Sequence, residues 1–343
     1  MSTSCLPQKI SIIETTLRDG LQELTVSLPT HIKIAYGEAL ILTGGVRKIE
    51  ITNLGSKKGL KQFADQEDVL AYFSGDEFKR KCFRKGINEK DLTFIAVTVS
   101  ENSIKKALKL NAEGVGPDEI GLTTFVDEPM QIKNSGLTHK EYWEMAEKYI
   151  KFIHDAGIRV TGRLAIDLVN EFDFKKNINE FTRRWFDIGA DQVCHADHSG
   201  MATVEKIKKY FGMVLNEVPD STKHIAHFHQ RATAPFGILS LYGAMQEGVS
   251  QYELSLLGLG GQPANFIDGH PIAGTGKYAY GGEYVGMVPL EMVLQLLDTL
   301  DIQHGLDSEY IQYLAKMMKH DTLRRLNFCG QRFFDSTRMR AYR

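Results

Sequence analysis

The chain has 343 residues, 43% hydrophobic and 24% charged, with a formal net charge of −2. That length allows a sizeable core, in one large barrel or two domains. So small a charge gives no electrostatic case for nucleic acid or a membrane surface. No run of about 20 uncharged apolar residues is present, which argues against a membrane span. Met1 to Lys9 carry no apolar or Arg-rich targeting pattern, so no export signal is expected. Cys5, Cys82, Cys194 and Cys329 lie far apart without a C-x-x-C pair, against a structural zinc site or a disulfide framework. Reduced thiols in the cytoplasm are the simplest reading.

In chain order, Ile10 to Thr15 is a β-branched apolar run and reads as a strand, ending in the polar loop Thr16-Leu17-Arg18-Asp19-Gly20. Ile32 to Thr43 has helical spacing and stops at Gly44-Gly45. Val46 to Thr52 is the second strand, with Glu50 near its end. Lys61 to Phe73 and Glu77 to Lys85 are helical. Leu92 to Val99 is the third strand, Ser103 to Leu110 a helix, and Asp118 to Thr123 a weaker fourth strand. Thr124 to Thr138 reads as a long polar loop, with Thr138 and Glu141 spaced as a capping box.

The helix from His139 to Ala156 follows, then strand Ile158–Ala165 and helix Asp173–Ile188. Ala190 to Ala196 is the sixth strand, with Asp197 at its exit, and Thr203 to Leu215 a helix. Lys223 to His229 is the seventh strand, Pro235 to Glu247 a helix, and Tyr252 to Leu257 the eighth strand, before Gly258-Leu259-Gly260-Gly261. Val288 to Leu300 is the eighth helix, and the tail from Ser308 reads as helical and then basic. Strand and helix alternate eight times, which predicts a (β/α)8 TIM barrel over residues 1–305 with a helical extension over 306–343. A doubly wound open sheet is the competing architecture.

Chemistry in such barrels sits at the C-terminal ends of the strands. There the sequence places Arg18, Asp19, Glu50, Asp197, His227 and His229, and after the eighth strand a glycine-rich loop with Gln262. His227 and His229 are two apart, so on a strand both imidazoles face one way. With Asp19 they form a carboxylate plus two-imidazole set that leaves positions open for a chelating substrate. Nitrogen and oxygen donors without sulfur suit Mg²⁺, Mn²⁺ or Zn²⁺. The bland alternative is a strand end with one packed and one solvated histidine.

Thr16-Leu17-Arg18-Asp19-Gly20-Leu21-Gln22, Ile49-Glu50-Ile51-Thr52, Ala64-Asp65, His227-x-His229 and Gly258-Leu259-Gly260-Gly261 occur in the order in which 3-hydroxy-3-methylglutaryl-CoA lyase carries such motifs. From Ile10 to Leu306 the chain resembles that enzyme and the wider group of metal-dependent barrels that includes isopropylmalate, homocitrate and citramalate synthases. The resemblance implies C–C bond cleavage or formation through a metal-stabilised enolate. It implies Asp19, His227 and His229 as metal ligands and Arg18 as the cation beside the developing oxyanion. Glu50 is implied beside the metal site, and Asp197 as the carboxylate that assists proton transfer. Gln22, Arg163 and Gln262 are read as substrate-binding. The expected partner is a small carboxylate or acyl-CoA, with no nucleic acid and no membrane, and members of the group often pair as homodimers.

Two departures stand out. Family lyases carry a cysteine after the Gly-x-Gly-Gly turn; here the residue is Gln262, whose amide cannot act as a general acid or base. The family's Gly-Asn pair, whose asparagine is a further ligand, corresponds to Gly286-Met287. Asn265, Asp268 and His270 are alternative candidates for that ligand, and water is another. The stretch from Gln262 to Val285 reads as an insertion, either a substrate lid or a surface excursion. His195, His198, Lys133, Asn134 and Arg231 are weaker candidates, and Cys194 reads as an inert core thiol. Three functions follow: a carbon–carbon lyase on a non-standard substrate, a Claisen or aldol synthase using a 2-oxo acid, or a barrel that binds metal and ligand without turnover.

Overall fold

The computed structural model describes residues 6–323, apart from 23, 25–26, 56–59, 99, 169–173, 232–235, 262–265, 268–269 and 272–284. Strands and helices run in the order β1 (Ser11–Glu14), α1 (Thr30–Leu42), β2 (Lys48–Asn53), α2 (Gln66–Ser74), α3 (Asp76–Arg84), β3 (Thr93–Thr98), α4 (Glu101–Ala112) and β4 (Glu119–Phe125). Then come α5 (Glu128–Ser135), α6 (His139–Asp155), β5 (Arg159–Ile166), α7 (Phe174–Asp187), β6 (Gln192–Asp197), α8 (Val204–Glu217), β7 (His224–Arg231), α9 (Phe236–Gln246) and β8 (Gln251–Leu254). The short strands β9 (Phe266–Ile267), β10 (His270–Pro271) and β11 (Val285–Met287) precede α10 (Leu290–Thr299) and α11 (Ser308–Met317).

Strands β1 to β8 are parallel, and β8 pairs with both β7 and β1, so the sheet closes into a (β/α)8 barrel. The strands are buried on both faces, which is why they read as apolar runs with little alternation. Their outward faces pack against the helices in one large core that includes Trp185, Tyr142 and Phe211. Trp185 lies flat against Gly162 of β5, where any Cβ would collide with the indole ring.

The barrel interior is layered, because alternate residues of each strand point inward. At the floor, Lys48 Nζ is 3.1 Å from Glu119 Oε2 and donates to Gln192 Oε1 at 2.9 Å, while Thr161 donates to Glu119 Oε1 at 2.6 Å. Above it Ile13, Ile95, Cys194 and Ile225 form a small apolar cluster. Above that Arg163 bridges Glu50 and Glu253, donating to both, below the mouth.

The structure departs from the sequence reading in three places. The polar stretch after β4 contains α5, capped by Asp127, whose Oδ2 accepts from Met130 N at 2.9 Å, and ended by Gly136 at φ 74°. The loop Thr16–Gly20 is a buried π-helical turn. Val285–Met287, at the end of the presumed insertion, pairs antiparallel with the end of β7, with Met287 opposite His229. The capping box at α6 is formed: Thr138 N donates to Glu141 Oε2 at 2.8 Å and Glu141 N to Thr138 Oγ1 at 3.3 Å. After α10 the chain returns to the start of the barrel, where Asp307 N donates to Gly44 O at 3.1 Å.

Candidate metal centre

The first βα turn is built to hold Arg18 and Asp19 rigidly at the mouth. Thr16 N lies 3.1 Å from both Glu14 carboxyl oxygens, and the Thr16 hydroxyl donates to the same group. Thr16 Oγ1 in turn accepts from Leu256 N at 2.8 Å, which ties the turn to the end of β8. Burial pushes the Glu14 carboxyl up to about 8.

Asp19 is 3% exposed. Its Oδ1 accepts from Arg18 Nη1 at 2.5 Å and Gln22 Nε2 at 2.8 Å, and its Oδ2 accepts from Gly261 N at 3.2 Å. Burial alone would raise this carboxyl, but the charge of the Arg18 guanidinium beside it is the largest opposing influence, and the group lies below its ordinary value. The glycine-rich loop can come this close because Gly260 has φ 144° and no Cβ; one would collide with Asp19 Oδ2 and with Met287.

From β7, His227 Nε2 and His229 Nε2 face each other at 2.8 Å. Asp19, His227 and His229 each offer a ligand atom, and these atoms lie within 4.8 Å of one another. His227 Nδ1 is 2.6 Å from Glu253 Oε2. His229 Nδ1 is buried without a hydrogen-bond partner among the described residues, and burial pushes that imidazole down to about 3. Two neutral imidazoles meeting nose to nose beside a carboxylate repel one another through their lone pairs unless a proton or cation lies between them. The surrounding charge favours a cation as well. Among the described residues Asp19, Glu50 and Glu253 pair with the guanidiniums of Arg18 and Arg163, and Glu253 also with His227; with that ring neutral and all three carboxyls ionised, the group is one positive charge short of balance. The donor set thus fits a divalent ion, with three protein ligands and open positions.

The remaining candidates divide. Glu50 accepts from Arg18 Nε at 2.6 Å and from Arg163 Nη1 at 2.5 Å; burial raises its carboxyl, and the two guanidiniums oppose that. Arg163, read as substrate-binding, is instead committed to Glu50 and Glu253 below the mouth. Gln22, read the same way, spends its amide on Asp19 and on Gly261 O at 2.7 Å. Each lies 7% exposed or less, because a buried donor is stable only when bonded. Asp197 Oδ1 accepts from Ser199 Oγ at 2.9 Å and Leu168 N at 3.4 Å, while Oδ2 is buried without a hydrogen-bond partner among the described residues; burial pushes the group up to about 6.

His195 points away from the barrel axis, with Nδ1 2.6 Å from Tyr210 Oη and Nε2 3.0 Å from His224 Nδ1. Cys194 faces inward, and burial holds its thiol well above its ordinary value. With His227 and Glu253 it forms a second group of potential metal donors, although Glu253 is already held there by Arg163. Lys133 and Asn134 lie exposed on α5. Arg231 Nε donates to Ser199 O at 3.2 Å. Gln262, Asn265 and Asp268 lie outside the described residues, as does the side chain of His270. Sequence reading missed Glu253, although a carboxylate within an otherwise apolar strand is a signal, since such groups are rarely buried without a partner.

The structure is a closed (β/α)8 barrel with two imidazoles and a carboxylate, a set of candidate metal ligands, converging at its C-terminal mouth. The HMGL-like family model matches residues 9–318, and the chain belongs to that family. It is 26% identical over 306 residues to the cytoplasmic 3-hydroxy-3-methylglutaryl-CoA lyase of Danio rerio, covering 88% of this chain and 80% of that one. It is 24% identical over 325 residues to the mitochondrial hydroxymethylglutaryl-CoA lyase of Gallus gallus, covering 94% and 96%. Among solved structures it resembles the hydroxymethylglutaryl-CoA lyase of Pseudomonas aeruginosa, with TM-score 0.75, 22% identity and coverage of 96% and 95%. It also resembles an HMG-CoA lyase from Acinetobacter baumannii solved with coenzyme A and 3-methylmalate, with TM-score 0.73, 19% identity and coverage of 96% and 97%.

Proposed function

We propose that this protein is a divalent-metal-dependent carbon–carbon lyase that cleaves a small hydroxy acid or its acyl-CoA thioester. The observation that carries the reading is the convergence of Asp19, His227 and His229 at the barrel mouth, with Arg18 bonded to Asp19. These three side chains would hold Mg²⁺, Mn²⁺ or Zn²⁺, which when bound supplies Lewis acidity and orients a chelating substrate. Arg18 is held rigidly by Glu50 and Asp19, so its charge is aimed before reaction begins. A guanidinium fixed in that way stabilises an oxygen that gains negative charge. In this reading Asp197, at the end of β6, would take the hydroxyl proton, the C–C bond would break to give a carbonyl and an enolate, and the enolate would take a proton from water while Asp197 gives its own back to solvent.

Two features favour a substrate other than 3-hydroxy-3-methylglutaryl-CoA. Gln262 stands where family lyases carry cysteine. Met287, a thioether, stands where the family's asparagine ligand is expected, opposite His229. Incubation with candidate acyl-CoAs and hydroxy acids tests the reading. Acetyl-CoA appearing from a single substrate supports a lyase, and thiol release that requires a 2-oxo acid means a synthase. Gln262→Cys that creates cleavage of 3-hydroxy-3-methylglutaryl-CoA would show that the natural chain had given up that reaction. A cytoplasmic location and a homodimer complete the proposal, the latter read by light scattering. Among the described residues no helix is long and apolar enough to cross a membrane.

A further inference from the structure

His227 has two ring nitrogens, and the structure commits them separately. Nδ1 lies 2.6 Å from Glu253 Oε2, and Nε2 faces His229 Nε2 at 2.8 Å, in the group of possible ligands that includes Asp19. An ionised carboxylate only accepts, so the ring proton sits on Nδ1 and the lone pair on Nε2. Arg163 holds Glu253 ionised: Nη1 donates to Oε1 at 2.6 Å, and Nη2 donates to Oε2. Arg163 Nη1 also donates to Glu50 Oε1 at 2.5 Å, and Glu50 Oε2 accepts from Arg18 Nε at 2.6 Å. Space for the guanidinium comes from β4, where a Cβ on Gly121 would stand 2.8 Å from Arg163 Cδ.

We propose that Glu253 is a positioning residue: it sets the tautomer and orientation of His227 so that Nε2 is presented to the metal. Through Arg163 and Glu50 it also shares one buried chain of ion pairs with Arg18. The ligand histidine and the reaction's cation, contributed by β7 and the first turn, are thereby set by a single carboxylate on β8. This inference rests on the metal reading above. A carboxylate behind a ligand histidine also raises the basicity of the ligating nitrogen, and losing such a partner costs about 10–100-fold in metal affinity.

Two measurements test it. In metal-free full-length protein with ¹⁵N-labelled histidine, NMR reads the tautomer of His227, assigned by the signals lost in His227→Gln. The Nδ1–H form is expected, and the Nε2–H form overturns the proposal. Titration with Mn²⁺ alone, read by EPR of the free ion, then compares the parent with Glu253→Gln and Glu253→Asp. Glu253→Gln is expected to bind about 10–100-fold more weakly, with partial recovery in Glu253→Asp. Parent-like affinity in a folded Glu253→Gln overturns the assignment. If the parent binds no Mn²⁺, the metal reading falls, while the tautomer still decides the role of Glu253.

Discussion

The barrel has two buried polar layers, and they solve opposite problems. At the floor Lys48 meets Glu119, and Gln192 and Thr161 take up the remaining bonds, so one cation balances one anion. At the mouth and just below it three carboxyl groups face two guanidiniums, and two imidazoles point at each other. The apolar cluster of Ile13, Ile95, Cys194 and Ile225 separates the two. A polar layer that closes on itself seals a barrel; one left short of a positive charge and facing outward is a place for a cation.

The sharpest way to break this contrast is to damage each layer in turn. Lys48→Met leaves the Glu119 charge buried and unpaired, and is expected to cost about 3–5 kcal/mol of stability by chemical denaturation. Metal affinity should stay unchanged, and a large loss of Mn²⁺ binding would show that the layers are not independent. Arg18→Met damages the upper layer instead. Turnover is expected to fall about 10²–10³-fold, the loss typical of one missing oxyanion donor, while metal still binds.

Metal itself should stabilise the folded chain. At a free concentration a hundredfold above the dissociation constant the gain is about 2.7 kcal/mol, seen as a rise in Tm. Asp19→Asn should abolish that increment, and Lys48→Met should keep it. Asp197 sets a pH window. Its folded pKa of about 6 lies above that of an ordinary carboxylate, so it favours the folded state at low pH. That contribution is lost as pH rises from about 4 through about 6. Activity runs the other way, because a base must be deprotonated: kcat/KM should rise to a plateau above pH 6, and Asp197→Asn should remove that limb along with most of the rate.

The smallest effect concerns the outward side of β6. His224 Nε2 donates to Val218 O at 2.9 Å, leaving Nδ1 to accept from His195 Nε2, whose Nδ1 accepts from Tyr210. Tyr210→Phe removes one of these bonds and should cost about 1 kcal/mol with kcat unchanged. Burial pushes both histidines below their ordinary value, so their contribution is present above pH 6.5 and fades as pH falls through the folded values. A change in kcat would draw this outer chain into the site.

Local order along the chain carried the architecture, since apolar runs bounded by glycines and caps are dictated by burial and backbone geometry. Asp19, His227 and His229 were legible as well, because strand parity and the barrel's polarity bring strand ends together. Helix α5 was hidden, since its apolar residues are few and its start rests on the single cap of Asp127. The roles of Gln22, Arg163 and Glu253 depended on tertiary structure alone. Whether a buried amide or guanidinium meets a substrate or a carboxylate from a strand some 90 residues away is decided by inter-strand register and by the absence of a Cβ at Gly121. Neither leaves a local trace in the sequence, because hydrogen bonds across a closed barrel join residues whose separation along the chain carries no information about their distance in space.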